Sequence, residues 1–229
     1  MRYYPMLLDL HHMHCLVVGA GDVGLRKISG LLAADPARVT AVDPLPPSDR
    51  IGDLVARHEN FSYQQRPFVE DDVLGFRLVF ACTASRRVNA LVGQACKRHR
   101  ILCNMTDRPD DGDFVLPASI TRGDLTISVS TSGASPALAR IIRQDLDELY
   151  GPEYEILTRL LGVIRPALLD LGQPSDDNRD IFRQLAASPL PQLIKTKDHD
   201  RCREVLRSVL PSPLHPRIGE WCDDCFKTA

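Results

Sequence analysis

Residues 15–24 read CLVVGAGDVG, and the fold turns on them. Leu16, Val17 and Val18 form a short run, β-branched and apolar on both faces, that suits a strand buried inside a parallel sheet. Gly19, Gly21 and Gly24 follow in GxGxxG spacing, and residues 22–34 then carry Val23, Ile28, Leu31 and Leu32 at helical spacing. A GxGxxG sequence alone is a weak signal, because Gly is common in turns. Directly after a strand and at the opening of a helix it reads as a dinucleotide fingerprint. Gly19 would permit the tight turn, Gly21 the close approach of backbone to a pyrophosphate, and Gly24 close helix–strand packing, with Asp22 and Val23 completing the loop at the helix N-terminus. The companion feature is an acidic residue about 20 positions on, at the end of the second strand. Asp43 ends VTAVD, 19 residues beyond Gly24. A carboxylate there accepts hydrogen bonds from both ribose hydroxyls and repels a 2′-phosphate, so the expected cofactor is NAD rather than NADP.

Working outward, residues 39–43, 78–82 and 101–104 read as further strands and 88–98 as a helix, which predicts βαβ units and a Rossmann-like α/β sheet covered on both sides. Thr83 and Ala84 follow a strand as small residues suited to a floor facing the cofactor, and Asn89, just inside the next helix, is either a cofactor contact or a local cap. The tempo changes near residue 113. Residues 114–120 and 125–131 read as two strands joined by Arg122-Gly123-Asp124, a hairpin signal. Ser135-Pro136 opens a helix that can run to Tyr150, where Gly151-Pro152 stops it. Beyond 152 only helices are expected, over 154–171, 177–187 and 197–210, and the last twenty residues should form a loosely held tail. The predicted division is a nucleotide-binding domain over 1–113, a small α+β region over 114–150, and a helical domain over 151–229.

Composition narrows the class. At 44% hydrophobic and 25% charged, the 229 residues are those of a globular protein, which excludes a disordered or fibrous chain. A net charge of −2 argues against a dedicated nucleic-acid binder. No apolar run reaches the roughly 18–20 residues that cross a bilayer, and no small-residue cleavage site follows the N-terminal stretch, so neither a membrane span nor a signal peptide is expected. Seven Cys without a framework spacing point to a reducing, cytoplasmic compartment. Cys15, Cys82 and Cys103 sit in apolar runs, where a free Cys acts as a small buried hydrophobe.

Asn104-Met105-Thr106-Asp107 closes the last parallel strand. A carboxylate at that end would face the reaction crevice, and from position alone Asp107 is either a base or a cap of the following loop.

Three stretches carry a resemblance: YPMLLDLHHMHCLVVGAGDVGLRK over 4–27, ACTASRRVN over 81–89, and CNMTDRPDDGDFVLPASITRGDLTISVSTSGASPALAR over 103–140. Together they resemble the precorrin-2 dehydrogenase family, the dehydrogenase–ferrochelatase part of siroheme synthase, from residue 4 to about 150. The resemblance implies oxidation of precorrin-2 to sirohydrochlorin with NAD⁺ as hydride acceptor, a homodimer whose contacts are exchanged after the nucleotide domain, and a catalytic Asp at Asp107. Some members also insert Fe²⁺ into the product, and the residues leave that open. Because precorrin-2 carries eight carboxylates, Asn104, Arg108, Arg122 and Arg140 become substrate-binding candidates. Ser130, Thr131, Ser132 and Gly133 join them, leading into a helix N-terminus that seats anions. Relatives often show Ser-Ser-Gly-Gly at 130–133, so Ser132 replaces a Gly. They also often show Ala at position 24, a difference expected to change little. At 229 residues there is no room for the methyltransferase domain of the fused synthases.

Two further features read as incidental rather than functional. Cys222 and Cys225 have CxxC spacing without a second pair, more suggestive of an incidental tail pair than of a zinc site, and no metal centre is expected. His11, His12 and His14 read as a surface turn between strands. Two rival functions remain, a nucleotide-sensing domain without chemistry and a dehydrogenase of another small molecule. A sensor has no need of Asp107 or of SGASPALAR.

Overall fold

In the computed structural model, which describes residues 3–227, strands and helices alternate from the first fingerprint residue onward. The order is β1 (His14–Val18), α1 (Asp22–Leu32), β2 (Arg38–Asp43), α2 (Asp49–Arg57), β3 (Phe61–Gln65), β4 (Leu78–Ala81), α3 (Arg86–His99) and β5 (Leu102–Met105). All five strands are parallel, in the order β3-β2-β1-β4-β5. This is the Rossmann-like sheet that the sequence predicts. α2 and β3 escape the pattern reading because α2 buries only Ile51 and β3, an edge strand, fully buries only Phe61.

Alternation along the strands divides the interior into two cores. Cys15, Val17, Val39, Ala41, Leu78 and Phe80 face one way and pack with Ile28 and Leu31 of α1 and Ile51 of α2. Leu16, Val18, Val42, Val79 and Ala81 face the other way and pack with Val92, Ala95 and Cys96 of α3. Burial on both faces explains why the strands read as continuous apolar runs. The chain reverses direction across the sheet between β1 and β4, the switch point where open α/β sheets form a crevice at the carboxyl ends of their strands.

The chain divides into two compact units, Met1–Leu116 and Pro117–Ala229. In the second, β6 (Ala118–Arg122) pairs antiparallel with β7 (Leu125–Val129), Ile120 opposite Ile127 and Ser119 opposite Ser128. α4 (Pro136–Leu149) packs on this hairpin. Five helices follow: α5 (Glu153–Leu169), α6 (Ser175–Ala186), α7 (Leu190–Lys195), α8 (His199–Val209) and α9 (Ile218–Lys227). Leu160, Ile164, Leu168, Leu185, Leu190, Leu206 and Ile218 form their shared core.

Three expectations are corrected. Residues 114–117 are not strand: Pro117 lacks the N–H a ladder needs, and β6 starts after it. The end of the chain is not a loose tail. Pro213 and Pro216 sit in a 3₁₀ turn over Ser212–Arg217, with Pro211 just before it, and this turn needs few of the missing donors; α9 then buries Ile218, Trp221, Cys222 and Cys225 at i, i+3, i+4 and i+7. Thr228 and Ala229 lie outside the described residues. Among the described residues no strand precedes the His11–His12 turn either; residues 3–10 are irregular, and the exposed turn leads straight into β1.

Candidate functional site

At the end of β1 the backbone must turn within one residue, and Gly19 does so at φ +94. A Cβ on Gly19 would lie 2.7 Å from the Thr83 nitrogen and 2.8 Å from the Cys82 carbonyl carbon, so the ends of β1 and β4 touch through a residue without a side chain. A Cβ on Gly24 would strike the Gly19 carbonyl oxygen. That overturns the expectation that Ala is as good at position 24: here the loop folds back onto the first turn of α1 with no room for a methyl group. Gly21 differs from both, having nothing within 4 Å of a Cβ position. It is also the N-cap of α1 and offers no side-chain cap, whereas α2, α3 and α4 are capped by Ser48, Ser85 and Ser135. The first N–H groups of α1 are thus left for a ligand.

The loop borders a cavity of about 1050 Å³ lying wholly in the first unit, at the upper end of the roughly 300–1,000 Å³ typical of ligand pockets. Gly19, Gly21, Asp22, Val23, Asp43, Thr83, Ala84, Asn104 and Asp107 all line it. Asp43 is bound at both oxygens: Oδ2 accepts from the Ala20 N–H at 2.7 Å and Oδ1 from the Leu45 N–H at 2.9 Å. The carboxylate that would meet a ribose therefore also fastens the glycine loop to β2. Asn89 is fully buried and committed to Thr83, its Oδ1 accepting from the Thr83 N–H (3.1 Å) and hydroxyl (2.7 Å) and its Nδ2 donating to the Thr83 carbonyl (3.0 Å). It shapes the floor of the cavity rather than lining it.

At the other end, Thr106 ties the β5 exit to β4, donating from backbone and hydroxyl to the Ala81 carbonyl. Asn104 is buried and donates to the Phe114 carbonyl at 2.9 Å, holding residues 114–116 against the sheet so that Val115 and Leu116 wall the cavity. Asp107 is exposed on that wall. Arg108 is exposed beside it, 3.5 Å from Asp111. Several wall residues escaped the fingerprint reading, Arg26, Lys27 and Arg86 among them. Lys27 lies four residues after Val23 on the same face of α1, and that spacing was the available signal.

The remaining candidates belong to the second unit. Ser130–Gly133 form a tight turn before α4, with Ser132 at φ +54 and Gly133 at φ +87. Its hydroxyls are engaged locally: Ser130 accepts from the Ser132 N–H and Thr131 from the Ser135 N–H. Arg140 is exposed on the second turn of α4. Arg122 is not available as a substrate cation, because its guanidinium binds Asp147 at 2.6 Å in the same unit. Among the described residues no group of three or more His, Cys, Asp or Glu could hold a metal ion. Cys202, Cys222 and Cys225 are free thiols inside the helical core, where burial pushes Cys202 and Cys222 up to about 11. No helix is long and apolar enough to cross a membrane among the described residues.

Comparison with known proteins agrees with this geometry. Residues 6–118 match the family described as "Putative NAD(P)-binding", and residues 122–149 match "Sirohaem biosynthesis protein central". The chain is 38% identical over 221 residues to the siroheme synthase of Methylococcus capsulatus, covering 96% of this chain and 46% of that protein. It is 33% identical to the siroheme synthase of Thioalkalivibrio sulfidiphilus, covering 95% and 44%. The chain thus spans about half the length of these curated relatives. Among solved structures it is similar to "SirC, precorrin-2 dehydrogenase", with a TM-score of 0.72 and 27% identity over 90% of this chain and 98% of that one. The chain is thus similar to the siroheme synthases over about half of their length and to a precorrin-2 dehydrogenase over nearly all of its length.

Proposed function

We propose that this protein oxidises precorrin-2 to sirohydrochlorin with NAD⁺. What supports the reading is one observation: the glycine loop and Asp107 line the same cavity. The residues present fit the cofactor, since Gly21 leaves the loop open toward the cavity and α1 begins without a side-chain cap. When bound, NAD⁺ supplies the acceptor for the hydride that leaves the macrocycle. Gly21, Asp22 and Val23 hold its pyrophosphate through backbone N–H groups, and Asp43 receives the ribose hydroxyls. Asp107 takes the proton released as the macrocycle is oxidised, reaching the substrate from the open side of the cavity. Arg108, exposed beside Asp107, is a cation the first unit offers to the substrate carboxylates.

The protein acts as a homodimer in this reading. Leu138, Ile141, Ile142 and Leu149 form a stripe on α4 that is 36–65% exposed in the single chain, larger than scattered surface apolar residues account for. A two-stranded hairpin such as β6–β7 is marginal by itself, and a second copy would cover both. Seven free, buried thiols suit a reducing, cytoplasmic setting.

The test is direct. Precorrin-2 and NAD⁺ are mixed with the protein, and sirohydrochlorin formation is followed by absorbance. Wild type should turn over, and Asp107→Ala should lose about 10²–10⁴-fold in rate, the range for removing a general base. A wild type that binds NAD⁺ and leaves precorrin-2 unchanged would overturn the reading in favour of its two rivals, a nucleotide sensor or a dehydrogenase of another small molecule. Fe²⁺ added to the product, with and without protein, reads metal insertion separately.

A further inference from the structure

The glycine loop accounts for one anionic partner of the cavity, and of the three cations that line it Arg26 and Arg86 are exposed, whereas Lys27 is not. Lys27 lies in the second turn of α1, half-buried, and lines the cavity. Among the described residues it makes no ion pair and no hydrogen bond to a side chain, unlike Arg66, Arg122 and Arg203, each of which is paired with an aspartate. Its neighbours are the Cys82 thiol at the end of β4 and Arg26 on its own helix. The Cys82 thiol in turn lies beside the side chain of Thr106, the residue before Asp107. The ammonium thus belongs to the β4–β5 end of the crevice, the end that carries the candidate base.

Withdrawing an ammonium partly from water without a partner is unfavourable, and burial holds Lys27 below the ordinary lysine pKa. A surface lysine in search of solvent would lay its stem over apolar residues and carry its head outward. Here the side chain lines a cavity instead. The dinucleotide pyrophosphate does not require it, because that group belongs on the backbone N–H groups at the start of α1. Lys27 is five residues past Asp22, about 7.5 Å further along the helix axis.

We propose that Lys27 is a substrate anchor: its ammonium receives a carboxylate substituent of the bound tetrapyrrole beside Asp107, and so selects which edge of the macrocycle faces the cofactor. The inference rests on the dehydrogenase reading above.

Lys27→Met and Lys27→Arg in the intact chain test it through three measurements: NAD⁺ binding without substrate, kcat and KM for precorrin-2, and sirohydrochlorin binding by absorbance titration. Lys27→Met should raise KM and weaken sirohydrochlorin binding about tenfold, as expected for a lost charge-assisted bond, with NAD⁺ affinity within about twofold of wild type. Lys27→Arg should recover most of the loss. Unchanged KM and product binding would overturn the proposal, and a loss confined to NAD⁺ would overturn it in favour of a pyrophosphate contact. If Lys27→Met fails to fold, Lys27→Gln carries the same readings. A wild type that binds sirohydrochlorin without oxidising precorrin-2 sinks the dehydrogenase reading alone, and the titration still decides Lys27.

Discussion

The parallel sheet of residues 14–105 and the hairpin with its helix over 118–149 use apolar side chains in opposite ways. In the sheet, Cys15–Val18 of β1 and all of β4 are buried, and the strand exits are closed by neighbours: Gly19 donates to the Val42 carbonyl and Cys82 to the Val18 carbonyl. In the hairpin only Ile120 is fully buried, and α4 buries Ala139 while its longer apolar residues stay bare. The first region is finished by its own contacts and can present a preformed pocket. The second has the surface of an element awaiting a partner, which supports the homodimer reading.

The sharpest way to break this contrast is in the glycine loop, where position matters more than residue type. Gly24→Ala should cost about 2–3 kcal/mol in urea unfolding, because the methyl group meets the Gly19 carbonyl in a packed turn. Gly21→Ala should cost under about 0.5 kcal/mol and show its effect only in NAD⁺ titration. Equal stability losses would mean that the loop is not prebuilt. An effect of similar size is expected on α4. Ile141→Asp should weaken self-association about 100-fold in sedimentation, with NAD⁺ binding unchanged, since it sets a charge within the exposed stripe. A wild type that sediments as a monomer at micromolar concentration would remove the contrast altogether. A small effect of opposite sign lies within the second region, in the turn between β7 and α4: Ser132→Gly should stabilise the chain by about 0.5–1 kcal/mol, because Ser132 holds a left-handed conformation that favours Gly.

What was legible in the sequence follows the same division. The fingerprint strand, α1, β2 and Asp43 could be read because a doubly buried strand and a glycine turn leave local signatures. β3 and α2 could not, since an edge strand such as FSYQQ has one buried anchor and no alternation. α9 was obscured by the prolines before it, although Ile218, Trp221, Cys222 and Cys225 were spaced as a helix stripe. Site residues were legible by position and less so by partner. Asn89 was open between a cofactor contact and a local cap and Arg122 was a substrate-binding candidate, and their side chains bind Thr83 and Asp147. Only the folded chain brings those donors and acceptors together.

The two hydrogen bonds of Asp43 have a consequence for redesign. A change of preference toward a 2′-phosphorylated dinucleotide would ordinarily begin by removing this carboxylate. Here the same side chain accepts the Ala20 and Leu45 N–H groups, so its loss would unpin the glycine loop as well as relieve the repulsion. Discrimination and scaffolding are welded into a single residue. A successful conversion must therefore install a neutral acceptor at position 43 before it adds any cation for the phosphate.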